Sequence, residues 1–228
     1  VLWAMQMYLK DYRELFAMPG YVGKKSFFQK FAGADTTLTL ESLMPEGKAL
    51  QSCTSHDLGQ NFSKSFDISF LSSEGKSENV WQTSWGLSTR SIGGLIMMHG
   101  DDAGLVLPPR LAPIQVIVLP VRIEEKVLAS CEEVTEILRA FDVRVKVDSL
   151  DNESLGSKIN KWEMKGVPLR IEIGPKEIEQ HTITAVRRDT GEKLKFSRDK
   201  LQIEVQALLD RIQDDLYQKA EKFLKDNS

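Results

Sequence analysis

Apolar residues recur at Leu2, Trp3, Met5, Met7, Leu9, Tyr12 and Leu15, close to a helical period, and Pro19-Gly20 ends the run. The pattern then changes. Thr36 to Leu43 is threonine-rich and alternating, as is Lys48 to Thr54, so both read as strands. Ser63 to Leu71 alternates as well, and the turn Ser72 to Lys76 leads into Val80 to Leu87, which predicts a hairpin and an antiparallel sheet in this half. Thr89 to Met98 returns to the helical period through Ile92, Leu95 and Ile96, with Ser88 or Thr89 available as N-cap and Gly100 as the stop.

Beyond a loop holding Asp101, Asp102, Pro108 and Pro109, strand and helix patterns alternate. Ile114 to Leu119 reads as a strand, Glu124 to Phe141 as a helix and Val143 to Val147 as a strand. Ile159 to Gly166 follows as a short helix, Leu169 to Ile173 and Thr182 to Arg187 as strands, and Lys200 to Lys225 as a closing helix. Such an order predicts a mixed or parallel sheet covered on its faces. The boundary falls near Leu111 to Pro113, giving domains 1–112 and 113–228 and an α+β half followed by an α/β half. The helix at Val1 begins without a cap or an initiator methionine, so the natural chain is expected to extend upstream.

Composition narrows the class. With 228 residues, 41% hydrophobic and 28% charged, and a mean hydropathy of −0.27, the chain can bury a sizeable core. No apolar run approaches the roughly 18–20 residues of a membrane span. Nor does the N-terminal stretch resemble a signal peptide, so the cytoplasm is the expected location. Cys53 and Cys131 lie far apart without Cys-x-x-Cys partners, so two reduced buried thiols are expected, and neither a disulfide framework nor a zinc site. The formal charge of −3 argues against a nucleic-acid partner on average. Locally, bases cluster in Lys158 to Lys176 and at Arg187, Arg188, Lys193 and Lys195, enough for an RNA-binding face.

Two polar runs carry candidate chemistry. Gln51 to Lys64 (Gln-Ser-Cys-Thr-Ser-His-Asp-Leu-Gly-Gln-Asn-Phe-Ser-Lys) lies between strands and offers donors and acceptors suited to a ribose, an amino acid or a phosphate. It also reads as an ordinary loop whose Thr-Ser-His caps a helix near Asp57, and His56 alone is as compatible with a structural role. In Ser84 to Gly94 a strand feeds a helix; Gly86 permits close backbone approach, and Arg90 occupies the first helical turn, where a cation is electrostatically unfavourable. Its planar guanidinium suits stacking on a base; pairing with a nearby acid is the plainer reading.

In sequence, Thr54-Ser-His-Asp-Leu-Gly-Gln-Asn-Phe-Ser-Lys64 and Ser84-Trp-Gly-Leu-Ser-Thr-Arg90 resemble prolyl-tRNA synthetases of the eukaryote- and archaeon-like type, which are class II enzymes. The likeness extends through Lys30-Phe-Ala-Gly-Ala34, His99-Gly-Asp-Asp102, Gly104-Leu-Val-Leu-Pro-Pro-Arg110, Trp162-Glu-Met-Lys-Gly-Val-Pro168 and Gly174-Pro175. The resemblance implies part of a class II antiparallel sheet in the first half and an anticodon-binding domain in the second. It implies ATP-dependent formation of prolyl-adenylate, with magnesium, and transfer of proline to its tRNA by an enzyme that is a homodimer at full length. On the matching positions, Arg90 would stack on adenine, Gln51, Thr54 and Ser88 would bind ATP, and Ser84, Trp85 and Gly86 would line a proline pocket. His56 would lie near the terminal adenosine of the tRNA.

The family's motifs 1 and 2 would lie upstream of Val1, so no adenylate formation is expected from this stretch alone. No protein metal site follows from these residues. For the anticodon, Lys158, Lys165, Arg170 and Lys176 are candidates for phosphates or guanine acceptors, Glu163 or Glu172 for guanine donors, and Trp162 for stacking, although its spacing from Ile159 equally suits a core position. The alternative reading is a non-catalytic RNA-binding module derived from a synthetase.

Overall fold

The alternating stretches do form strands, and their registers build two separate sheets. The computed structural model describes residues 1–150 and 153–228. The chain divides into two compact units. Val1–Glu14, Met18–Met98 and Glu221–Ser228 make one, and Leu15–Ala17 with His99–Ala220 the other.

The first unit contains α1 (Leu2–Glu14), β1 (Tyr21–Lys24), β2 (Thr36–Leu43), β3 (Ala49–Gly59), α2 (Asn61–Ser65), β4 (Ser69–Leu71), β5 (Ser77–Asn79), β6 (Gln82–Leu87) and α3 (Arg90–His99), the last ending at the first residue of the second unit. Its sheet runs β1-β2-β3-β6, antiparallel throughout. One side is closed by α1, whose buried Tyr12 donates its hydroxyl proton toward Ser91 Oγ and Ser52 O, beside Leu40 and Cys53.

Here the structure corrects the expected strand at Ser63 to Leu71. Strand β3 runs through the polar stretch to Gly59, where a positive φ of +51° turns the chain, and the Asp35 carboxylate fills the place a Cβ would take. Phe62 of α2 then stacks on Phe66, the residue just after its end, and only Ser69–Leu71 remains a strand. The predicted turn exists, with Gly75 at φ +74°. It closes a small β4-β5 ribbon, however, while β6 pairs with β3.

The second unit contains β7 (Val116–Pro120), α4 (Glu125–Ala140), β8 (Val145–Val147), α5 (Leu155–Met164), β9 (Leu169–Ile173), α6 (Pro175–Glu179), β10 (Thr182–Arg187), β11 (Lys193–Ser197) and most of α7 (Leu201–Asp226). Its sheet order is β11-β10-β9-β7-β8, with β7 parallel to β8 and β9 and the other pairs antiparallel, a mixed sheet as expected. One face carries Val116, Val118, Ile171, Ile173, Ile183 and Ala185 into a core completed by α4 and α7. The other face packs Ile117 and Leu119 on Trp162 of α5. Helix α5 starts four residues before its expected position because Ser154 caps it, its hydroxyl accepting the Ser157 amide at 3.2 Å.

Two glycines allow a close crossing in this unit. Gly104 and Gly166 both have positive φ, and a Cβ on Gly104 would fall 2.6 Å from Met164 Cα. Leu105 N donates to Met164 O at 3.0 Å across the same point.

Candidate functional site

In β3, Cys53, Ser55 and the partners Leu40, Trp85 and Leu87 belong to the α1 side of the sheet, so residues alternating with them face the other way. Thr54 pairs with Thr39 and Gly86, and His56 with Thr37 and Ser84, which places these side chains on one polar face. Gln51 is three residues from Thr54 and in a regular strand would face away from it. A bulge resolves this. Leu40 pairs with Cys53 and Glu41 with Gln51, leaving Ser52 as the extra residue and returning Gln51 to the face of Thr54. A Cβ at Gly86 would meet nothing within 4 Å, so the face is open there.

Arg90 is the first residue of α3 and exposed. Its amide donates to Ser88 Oγ at 3.3 Å and its guanidinium to the backbone carbonyl of Gln51 at 3.4 Å. Among the described residues it forms no ion pair, which removes the plainer reading of a surface arginine matched to an acid. His56 is half-buried, with Nδ1 2.9 Å from the Thr37 hydroxyl and its ring 5.3 Å from Phe31. Burial pushes its pKa below the ordinary histidine value, so the imidazole is neutral at pH 7. Glu41, the carboxylate this face offers, is ion-paired with Lys25. Trp85 is separated from Ser84 and Gly86: it lies on the α1 side, edge-on to Trp3 at 5.8 Å, with its indole N–H donated to Thr83. The three therefore do not line one pocket.

In the second unit, α5 covers the β7 part of the second sheet face; beside it, on β9 to β11, Thr184 and Val186 are buried, Arg170 and Glu172 are largely buried, and Lys193 is exposed. Arg170 and Glu172 of β9 share that face with Thr184 and Val186 of β10 and with Lys193 and Lys195 of β11, by register. Arg170 donates to Glu163 at 2.7 Å and to Glu172 at 2.9 Å, and Lys193 reaches Glu172 at 3.2 Å. Charges therefore alternate along this face, each paired with the next. Lys165 is exposed over the Trp162 ring at 4.6 Å, and Lys176 is exposed on α6.

Two expected contacts are corrected. Lys158 is 2% exposed and Trp162 6%, both tied to Asp148, with the Trp162 indole donating to its Oδ2 at 2.7 Å. Although burial opposes ionisation of Asp148, hydrogen bonds from Lys161 and Trp162 hold its pKa below the usual carboxylate range. Burial makes Trp162 a core residue with a polar anchor, not a platform for a splayed base. Arg187 is likewise buried against Asp189 and Asp215, and Arg188 grips Asp101 at 2.6 and 2.8 Å. Lys193 and Lys195 belong to the basic cluster expected to bind RNA but not to the expected anticodon contacts; the alternation in Lys-Leu-Lys-Phe-Ser is the signal that they lie on a strand.

Among the described residues, no group of three or more His, Cys, Asp or Glu could hold a metal, and no helix is long and apolar enough to cross a membrane.

Residues 115–208 match the anticodon binding domain family. The chain is 53% identical over 210 residues to proline-tRNA ligase of Symbiobacterium thermophilum, which covers 91% of this chain and 43% of that protein. It is 48% identical over 225 residues to proline-tRNA ligase 2 of Clostridioides difficile and of Bacillus cereus, covering 98% of this chain and 47% of each. The chain thus spans about half the length of the curated relatives it matches.

Proposed function

The chain is related over nearly all of its own length to the proline-tRNA ligase family, and from that premise we propose that it contributes the adenine- and proline-facing part of a prolyl-tRNA synthetase site together with its anticodon-binding domain. On this reading the domains divide near residues 111–113. Arg90 stacks on the adenine of ATP, with Ser88, Gln51 and Thr54 holding the nucleotide. Ser84 and Gly86 face the proline, and His56 faces the 3′-terminal adenosine of the tRNA. Arg90 supports the ATP assignment: it is exposed, planar, not ion-paired and hydrogen-bonded to the Gln51 carbonyl, an arrangement suited to a π-face. On this face Glu41 would be the carboxylate to meet magnesium, and it is ion-paired with Lys25. Its residues would orient the reactants, not attack them, so the chemistry here is positioning and electrostatics. The same reading places the enzyme in the cytoplasm, as a homodimer.

The single observation that carries the tRNA assignment is the charged edge of β9 to β11, where Arg170, Glu163, Glu172 and the exposed Lys193 form one hydrogen-bonded array. Lys165 and Lys176 flank it as phosphate contacts. The test is filter binding of the chain to a proline tRNA transcript and to one whose two anticodon guanines are replaced by adenines. At about 1–3 kcal/mol for each base contact, the altered transcript binds at least roughly tenfold more weakly. Equal binding of the two overturns the assignment and favours a module that binds RNA without reading the anticodon.

A further inference from the structure

The segment Lys24 to Phe31, joining β1 to β2, holds three lysines, three phenylalanines and no acid. Phe27 and Phe28 are 77% and 94% exposed, edge to face with centroids 5.6 Å apart. Nothing in the local fold requires them. Residues 27–29 form a turn, which polar side chains would make at least as well. Lys30 Nζ donates to Ala34 O and lies 5.3 Å from the Phe27 ring centroid, Lys25 pairs with Glu41, and Lys24 is exposed with no ion pair among the described residues. On one side the segment borders a cavity of about 370 Å³ whose walls include Tyr21, Lys24, Lys25, Gln29, Thr39 and Glu41. On the other, its last residue Phe31 packs on His56.

Exposed aromatic faces interleaved with cations are the chemistry that binds unpaired nucleic acid. Bases of any kind stack on the rings, and the cations follow the phosphates. An apolar protein partner would explain the rings but not the exposed, unpaired Lys24 beside them. A duplex would explain the lysines but offers no free base faces. We propose that Lys24 to Phe31 is a landing site for an unpaired RNA 3′ end, with successive bases stacked on Phe27 and Phe28 and phosphates held by Lys24 and Lys30. This rests on the proposed tRNA-dependent function, and it hands the terminal nucleoside toward His56 along the polar face.

The test uses the whole chain and a single-stranded RNA of about eight nucleotides, within the usual site size, carrying 2-aminopurine near its 3′ end. Stacking quenches the fluorophore, and the titration gives the affinity. Phe28→Ala and Phe27→Ala each weaken binding by about 5- to 100-fold, as expected for one lost base–aromatic stack. Phe28→Leu weakens it comparably because the π-face is gone. Lys24→Ala lowers the salt dependence by about one phosphate contact. Both rings are exposed, so the variants keep the wild-type melting temperature.

No quench with the wild-type chain, or unchanged affinity in the double alanine variant, overturns the proposal. So does self-association of the chain that the double variant abolishes while RNA binding persists. An anticodon stem-loop is titrated in parallel. Loss of discrimination there, with the 3′-end quench intact, sinks the proposed function and leaves this loop standing; the reverse result sinks the loop alone.

Discussion

The Thr37 hydroxyl lies 2.9 Å from Nδ1 of His56 and accepts the Phe31 amide at 3.2 Å. One buried oxygen therefore fixes both the imidazole and the residue that packs on it. Thr37→Val strands the Phe31 amide and Nδ1, at a cost of about 1–3 kcal/mol. Urea denaturation measures the loss, and a stability unchanged within about 0.5 kcal/mol would show that the oxygen is not the organiser.

Arg90 separates charge from shape. Arg90→Lys keeps the cation but loses the planar stack, so ATP binding to the chain weakens almost as much as in Arg90→Ala, by about 2- to 30-fold. Stability stays within about 0.5 kcal/mol because the residue is exposed. Calorimetric titration with ATP checks both variants; a lysine variant that binds as well as wild type would remove stacking from Arg90's role.

Asp148 is the counter-charge for a lysine that has lost its water. Its side chain is 3% exposed and that of Lys158 is 2%, 3.7 Å apart, with Lys161 closing on the other carboxylate oxygen at 2.7 Å. Asp148→Ala leaves Lys158 buried and uncompensated and destabilises the fold by about 3–5 kcal/mol. Replacing Lys158 and Asp148 together by Met and Leu recovers much of that loss, which equilibrium unfolding of the double variant would show.

His99 makes stability depend on pH. Burial lowers its folded pKa, only partly offset by the hydrogen bond its Nε2–H donates to Phe16 O at 3.0 Å. The unfolded chain, with a pKa near 6.5, then binds a proton more readily than the folded one. Stability is full above about pH 6.5 and falls as pH drops through the lowered folded value. His99→Gln flattens that limb of a melting-temperature profile between about pH 8 and 5, without abolishing it, because the His56 pKa is lowered in the same sense.

Gly104→Ala and Gly166→Ala attack one crossing from its two sides. Each forces a Cβ onto a positive φ, costing about 1–2 kcal/mol, and into backbone less than 3 Å away. Either variant lowers the unfolding midpoint by more than Gly191→Ala, which shares the positive φ but meets nothing within 4 Å.

Periodicity was enough to read the second unit, because its strands bury one face against α4 and α7 and its long helices repeat the same stripe. Leu169–Ile173 and Thr182–Arg187 match their expected bounds. Strand β11 escaped because its alternate residues are lysines on an open face, so it reads as a basic cluster. In the first unit the polar run looked like a loop, since a strand that turns Thr54 and His56 to an open face has no apolar alternation on that side. Helix α2 starts later than the helix expected near Asp57 for a different reason: Gly59 and the carboxylate of Asp35, distant in sequence, set where β3 ends. Lys158 and Trp162 read as RNA contacts because nothing local announces Asp148, which lies ten residues upstream of Lys158.

The extra residue at Ser52 gives the spacing between Gln51 and Thr54 a meaning of its own. An odd separation along an extended chain is a mismatch, and this protein tolerates it by one deliberate miscount against β2. Removing Ser52 would make the count even and the ladder regular, a change that looks like an improvement by every local measure of strand quality. It would also leave the pair tolerant of later slips, because no irregularity would mark the register. The bulge acts as a parity mark: with Ser52 kept, flattening the ladder into a regular one would carry Ala49 to Gln51 onto the opposite face.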